Sequence, residues 1–294
     1  MKLGNAKSIR ASLKRIADKE NLGFMLITTR YFHERLLYRI AKSEYKDIFF
    51  LKGGALLYAI EGLHVRPTVD IDLLAKQISN DQQQIKHIFH AICSMKFEDD
   101  GVIFDINGIE TSDISEEAKY SGVRVLIYAS LDTIKQRLQI DIGFSDIITP
   151  APVNLQFPSL LHELPKVEIN AYSIETIIAE KFHAMIDLGT LNSRMKDFYD
   201  VYMLLKNNDI NTENLKTAVL NTFKQRNSNF LKEHEIFSIS FYENAIRLKL
   251  WKSFLRKIKF SGELEFPHVV ISILEKLQPI YYDLSNQLSI NKLK

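Results

Sequence analysis

The chain has 294 residues, 46% of them hydrophobic and 25% charged, which is ordinary globular composition with enough apolar material for two domains or one elaborate one. A formal net charge of +2 excludes bulk polycationic attraction to nucleic acid, so any basic surface must be local. A single cysteine, Cys93, excludes an intramolecular disulfide and a cysteine-rich zinc site. It reads as core and fits a reducing cytoplasm, and no run approaches the roughly 18 apolar residues of a membrane helix or the apolar segment of a signal peptide.

Apolar residues at three- and four-residue spacings predict amphipathic helices at about 8–19 and 24–43. Ile48 to Leu51 reads as a short strand that runs into Lys52-Gly53-Gly54, with helical character resuming from Ala55. Residues 69–74 alternate acidic and apolar types as a strand does, and a helix follows at about 81–95, with Ser79 or Asn80 as its expected cap. Between Gly101 and Phe144 the pattern changes to neighbouring antiparallel strands, including 123–129 and 134–144. From Ser173 onward the helical period dominates, at about 173–188, 194–206, 212–225, 240–259 and 267–283. Prolines at 150–165 interrupt regular structure, so the chain divides there into domains 1–165 and 166–294.

Side chains at i and i+2 of a strand share a face, so Asp70 and Asp72 project together while Val69, Ile71 and Leu73 point into the core. Two adjacent carboxylates call for a cation between them, and hard oxygen donors suit magnesium. In RLQIDIGF, Arg137, Gln139 and Asp141 share a polar face, so Asp141 is a candidate third ligand. A lone acidic alternation equally marks a solvent-facing strand. The preceding strand-glycine-helix turn adds the backbone amides and helix dipole that hold phosphate, and Lys52 adds a cation.

On a helical projection Lys181 lies at the centre of the apolar face of its helix, so it needs either an acidic partner or a phosphate. Arg194 shares a face with Phe198 and Val201, with Asp197 on its flank, while Lys196 and Asp200 have the spacing of a surface ion pair and are as readily supporting residues of a site around Asp197. His87 and His90 lie on a plain amphipathic helix without a third ligand. No GxSxG elbow, glycine-rich kinase loop or activated cysteine is present, so hydrolase and kinase readings are poor. In RLKLWKSFLRKIK, Lys249, Lys252, Arg256 and Lys259 fall in one narrow helical sector, a candidate nucleic-acid contact or a solvated face, and Trp251 faces the core.

These motifs resemble the polymerase-β-like nucleotidyltransferase superfamily and, more closely, its AbiEii toxin family. There a KGG turn precedes a DxD strand, and an arginine-bearing loop similar to HVRPTVDIDL fills the interval. The segment AEKFHAMIDLGTLNSRMKDFYDVYML is similar to the family's AEK and RxKDxxD segments, and the resemblance spans about residues 50–205. It implies an α/β (α+β) nucleotidyltransferase fold with a mixed sheet, followed by a helical domain that supplies Lys181 and Asp197 to an inter-domain active site. It further implies metal binding by Asp70, Asp72 and Asp141, with Mg2+ or Mn2+. Nucleotide contacts would come from Lys52, Gly53, Gly54, Arg66, Thr68, Lys181 and Arg194. The function so implied is transfer of a nucleotide from a nucleoside triphosphate to an acceptor, of which tRNA is the class, by a cytoplasmic toxin with a cognate antitoxin. A small-molecule, antibiotic-type nucleotidyltransferase and a non-catalytic nucleotide-binding module are the alternatives.

Overall fold

A computed structural model describes residues 5–116, 120–231 and 233–291. It forms two compact units, Met1–Asp146 with Pro152–Ala171, and Ile147–Ala151 with Tyr172–Lys294. The division expected at residue 165 falls one strand too early, because 167–171 is hydrogen-bonded into the sheet of the first unit.

The first unit opens with helices α1 (Ala6–Lys19) and α2 (Phe24–Lys42), then β1 (Phe49–Lys52), α3 (Gly53–Glu61), β2 (Asp70–Ala75) and α4 (Gln82–Ser94). Strands β3 (Ile103–Phe104), β4 (Glu110–Glu116), β5 (Tyr120–Leu131), β6 (Ile134–Gly143), β7 (Val153–Phe157) and β8 (Val167–Ala171) complete it. The sheet runs β3-β5-β6-β2-β1-β8-β7, with β4 also paired to β5. It is mixed: β2 runs parallel to β6 and β1 to β8, and the other pairs are antiparallel. Ile71, Leu73, Ile140 and Ile142 are fully buried, as alternation predicts. Val69 departs from that expectation. It precedes the first residue of β2 and is 70% exposed, because the alternation begins only where pairing begins. The cap of α4 is Asp81, whose side chain accepts from the Gln84 amide at 2.7 Å; Ser79 and Asn80 lie two residues and one residue too early for it.

Helix α2 is buried all round from Ile27 to Ile40, although its sequence reads as amphipathic. Its charges go inside because each finds a partner. Arg39 donates to Asp100 at 2.6 Å, Arg35 pairs with Glu34, and Glu34 also accepts from the Leu160 amide at 3.0 Å. Cys93 is buried against the same region, and that burial pushes its thiol up to about 12, which leaves it inert as a nucleophile.

The second unit contains α5 (Ile174–Leu188), α6 (Met195–Asn207), α7 (Thr212–Gln225), α8 (Ile239–Tyr242), α9 (Ala245–Lys257) and α10 (Phe266–Asn291). The helix expected over 240–259 is broken at 243–244, where the Asn244 side chain accepts from the Ile246 and Arg247 amides and starts α9 afresh. Phe182, Phe198, Phe223, Trp251, Phe266 and Tyr281 form an aromatic core, each at most 2% exposed. Among the described residues no helix is long and apolar enough to cross a membrane.

Candidate active site

Strand β2 pairs with β6 in a register that sets Asp72 beside Asp141 and Asp70 beside Gln139. The sheet therefore brings the three expected carboxylates together, with one ligand atom from each of Asp70, Asp72 and Asp141 lying within 4.8 Å of the others. All three are half-buried. Like charges this close repel unless a cation lies among them, and three hard oxygen donors match magnesium or manganese. The donor set fits.

Asp141 has further partners that were not anticipated. Arg124, opposite it on β5, donates to both of its carboxylate oxygens at 2.8 Å, and Gln139 donates at 3.0 Å. A carboxylate offers about four lone-pair sites, so these bonds fix Asp141 without consuming its capacity as a ligand. Asp70 is held from the other side, where Thr68 Oγ1 donates to Asp70 Oδ1 at 2.6 Å.

The glycine turn is built around these carboxylates. Helix α3 begins at Gly53, directly after β1, and its first amides have no side-chain cap. Gly53 has φ +63°, and a Cβ there would lie 1.8 Å from Asp72 Oδ2. At Gly54 a Cβ would lie 2.5 Å from Thr68 Oγ1. Both glycines are therefore required by the close approach of the acidic strand and of the loop before it. Lys52 is more constrained than expected of a phosphate-binding cation, since its Nζ lies 2.6 Å from Asp146 Oδ2. Asp146, just beyond β6, is a site residue that pattern reasoning missed, because no period links a loop residue to β1.

The loop from α3 to β2, which carries Arg66 and Thr68, is pinned from beneath by α2. The buried Arg30 guanidinium donates to the Leu63 carbonyl at 2.5 Å and the Val65 carbonyl at 3.3 Å, and it lies 4.5 Å from the centre of the Tyr58 ring. His33 hydrogen-bonds to the Val69 backbone and faces Asp70. Burial nevertheless drives its imidazole down to about 4, so it is neutral at physiological pH.

In the second unit Lys181, on α5, has the acidic partners its apolar surroundings demanded. Its Nζ lies 2.7 Å from Asp197 Oδ1 and 2.8 Å from Asp200 Oδ2. Arg194 Nε donates to Asp197 Oδ2 at 2.7 Å. Burial alone would raise the Asp197 carboxyl, but Lys181 and Arg194 outweigh it and hold it below its ordinary range. The structure decides one open reading and corrects one expectation here. Asp200 is buried on Lys181 and does not join Lys196, which is exposed, in a surface pair. Arg194 caps the start of α6 and stays half-exposed, outside the buried face of Phe198 and Val201.

Histidines 87 and 90 are exposed, as expected. His183 is buried, with Nε2 2.7 Å from Ser228 Oγ and Nδ1 3.4 Å from Arg226. An arginine can only donate to Nδ1, so Nε2 carries the proton and cannot take one from Ser228; the pair is structural. Trp251 is core, 1% exposed, and Lys249, Lys252, Arg256 and Lys259 are exposed.

A family model described as "Nucleotidyl transferase AbiEii toxin, Type IV TA system" matches residues 35–272. Among solved structures the chain is similar to JHP933 from Helicobacter pylori, at 15% identity and a TM-score of 0.50, covering 92% of this chain and 99% of that one. It is also similar to an antigenic nucleotidyltransferase-like protein from Paracoccidioides brasiliensis, at 15% identity and a TM-score of 0.39, covering 68% and 89%. A comparison with curated proteins gives no match.

Proposed function

Because the chain belongs to the AbiEii nucleotidyl transferase toxin family and is a nucleotidyltransferase, we propose that Asp70, Asp72 and Asp141 hold a divalent cation, Mg2+ or Mn2+, beside a triphosphate-binding turn at Gly53 and Gly54. The observation that carries this reading is the acidic cluster itself, three carboxylates with ligand atoms within 4.8 Å, with Asp72 packed so closely on the glycine turn that Gly53 has no room for a side chain. A cation held there withdraws charge from the transferring phosphoryl group and its attacking oxygen.

The remaining steps fall to the protein. The free amides at the start of α3 donate to the nucleotide's phosphates, with Lys52 held nearby by Asp146. Arg66, on the loop that Arg30 pins, and Thr68, which orients Asp70, shape the same end of the sheet. An acceptor hydroxyl loses its proton to water as its oxygen attacks the α-phosphorus, the bond from the α-phosphorus to the bridging oxygen breaks, and pyrophosphate leaves with that oxygen. In the second unit, Lys181, Arg194 and Asp197 serve the nucleotide as the family pattern implies. Asp197 acts there as an organiser and not a base, because two cations already hold its oxygens and favour its charged form. The acceptor is tRNA, the substrate is a nucleoside triphosphate, and the partner is a cognate antitoxin in the cytoplasm.

Incubation with α-labelled nucleoside triphosphates, magnesium and total tRNA tests this reading. Label in tRNA, abolished by chelation, is the expected result. Label only in a small molecule such as an aminoglycoside would favour the antibiotic-modifying alternative, and tight nucleotide binding without turnover would favour a regulatory module.

A further inference from the structure

Six basic and no acidic residues lie between Ala245 and Phe260, in a chain whose whole net charge is +2, so the rest of the molecule is net negative. The rotation of α9 about its axis is fixed from one side. Trp251 is buried, its Nε1 donates to the Leu264 carbonyl at 2.6 Å, and its ring lies 5.4 Å from that of Phe266. Arg247, also buried, donates to the Thr190 carbonyl at 2.5 Å and packs 4.1 Å from the Phe241 ring. With that face anchored, Lys249, Lys252 and Arg256 fall on the opposite face, and all three are exposed, as is Lys259 just past the helix end.

Some exposed cations of this protein have a local acidic partner, as Lys14 has Asp18 and Lys135 has Asp105, and others, such as Lys86 and Lys96, stand without one; α9 differs in gathering several unpaired cations on one helical face. No ion pair joins Lys249, Lys252, Arg256 or Lys259 to an acidic group among the described residues. The helix dipole accounts for Arg256 in the last turn, but Lys249 and Lys252 lie in the body of the helix, and no acidic residue occupies its first turn. Like charges one turn apart repel by a few tenths of a kcal/mol per pair, and no ion pair among the described residues offsets this.

We propose that the exposed face of α9 docks the phosphate backbone of a structured RNA and reads shape, not sequence. This rests on the reading above that the acceptor is RNA. From Lys249 to Arg256 the helix rises roughly 10 Å, enough to follow two or three successive phosphates. A single-strand site would add exposed aromatic rings on which bases stack. This face offers none: Trp251 is core, and Phe254 is half-buried against Tyr199 and Trp251. Cations without a stacking platform fit a duplex stem.

The test uses the full chain without nucleotide and a fluorescent RNA hairpin, titrated over a range of salt concentrations. The triple variant Lys249→Gln, Lys252→Gln, Arg256→Gln is compared with a charge-matched control, Lys7→Gln, Lys86→Gln, Lys96→Gln, whose three lysines are exposed elsewhere. The α9 variant should bind at least about tenfold more weakly near 0.1 M salt, with a slope of log K against log salt shallower by about 2 to 3. The control should match wild type, and a single-stranded RNA of equal length should bind wild type more weakly than the hairpin. Equal losses in the two triple variants, an unchanged slope, a preference for the single strand, or α9-dependent binding only to phosphatidylglycerol vesicles would each overturn the proposal. Because no transfer is measured, hairpin binding that depends on α9 in a protein that labels no RNA would leave this surface standing and sink the acceptor assignment alone.

Discussion

Replacing Gly53 by alanine tests the site at its tightest point. The new Cβ would lie 1.8 Å from Asp72 Oδ2, whereas real Cβ contacts essentially never fall below 3.0 Å, so the carboxylate must retreat by about 1.2 Å or the turn must open. The φ of +63° adds a left-handed strain of about 1–2 kcal/mol for any residue with a Cβ. Magnesium tolerates only small departures from ligand distances of about 2.0–2.1 Å, and a misplacement near 1 Å costs a reaction about 100-fold, or about 2.7 kcal/mol of barrier. Gly62→Ala is the control for backbone strain, since at φ +83° and ψ −166° it too adopts a conformation that favours glycine, but it has nothing within 4 Å of the added Cβ. Both variants should lose thermal stability, and only Gly53→Ala should lose about 100-fold in nucleotide transfer, with a parallel loss of Mn2+ affinity by calorimetry. Equal transfer rates in the two variants would refute the claim that Asp72 must sit against this turn.

Lys181→Met removes the ammonium that lies against the buried carboxylates of Asp197 and Asp200, and should destabilise the second unit by about 3–5 kcal/mol in chemical denaturation. A Lys181→Met variant of wild-type stability would contradict the claim that this lysine holds the two buried carboxylates, whatever its effect on nucleotide affinity. Acid sensitivity follows from Asp197. Its carboxyl is held below the unfolded value of about 3.9, so its contribution to stability is complete above that pH and is lost as pH falls through the folded value. Denaturation midpoints below about pH 4 should therefore fall more steeply for wild type than for Asp197→Asn; equal slopes would contradict the assignment.

The carboxylate face was legible because strand alternation needs only one segment to be read, and Asp70, Asp72 and Asp141 each lie on a strand with an unbroken apolar partner face. Arg124 could also have been found. Counting back along both strands from the Asp132-Thr133 turn places it opposite Asp141, and Asp132 has the positive φ of a tight hairpin. The buried state of α2 was not legible, since Arg30, His33, Glu34 and Arg39 read as a solvent face until their distant partners at 63–69, 100 and 160 are known. Lys181 shows the same limit. Its position predicted a partner, but only the tertiary structure shows that Asp197 and Asp200 lie against it. The break between α8 and α9 was written in Asn244, a good helix cap, but the apolar period continues across it and hid the stop.

Nucleotide transfer by wild type and by the separate variants Asp70→Ala and Asp72→Ala, each first shown by circular dichroism and thermal melting to keep the wild-type fold, addresses the metal assignment most directly. With α-labelled nucleoside triphosphate, magnesium and total tRNA, wild type should label the acceptor and release pyrophosphate, and both variants should fall to background. Full transfer by either folded variant would contradict the assignment of these carboxylates to the catalytic metal.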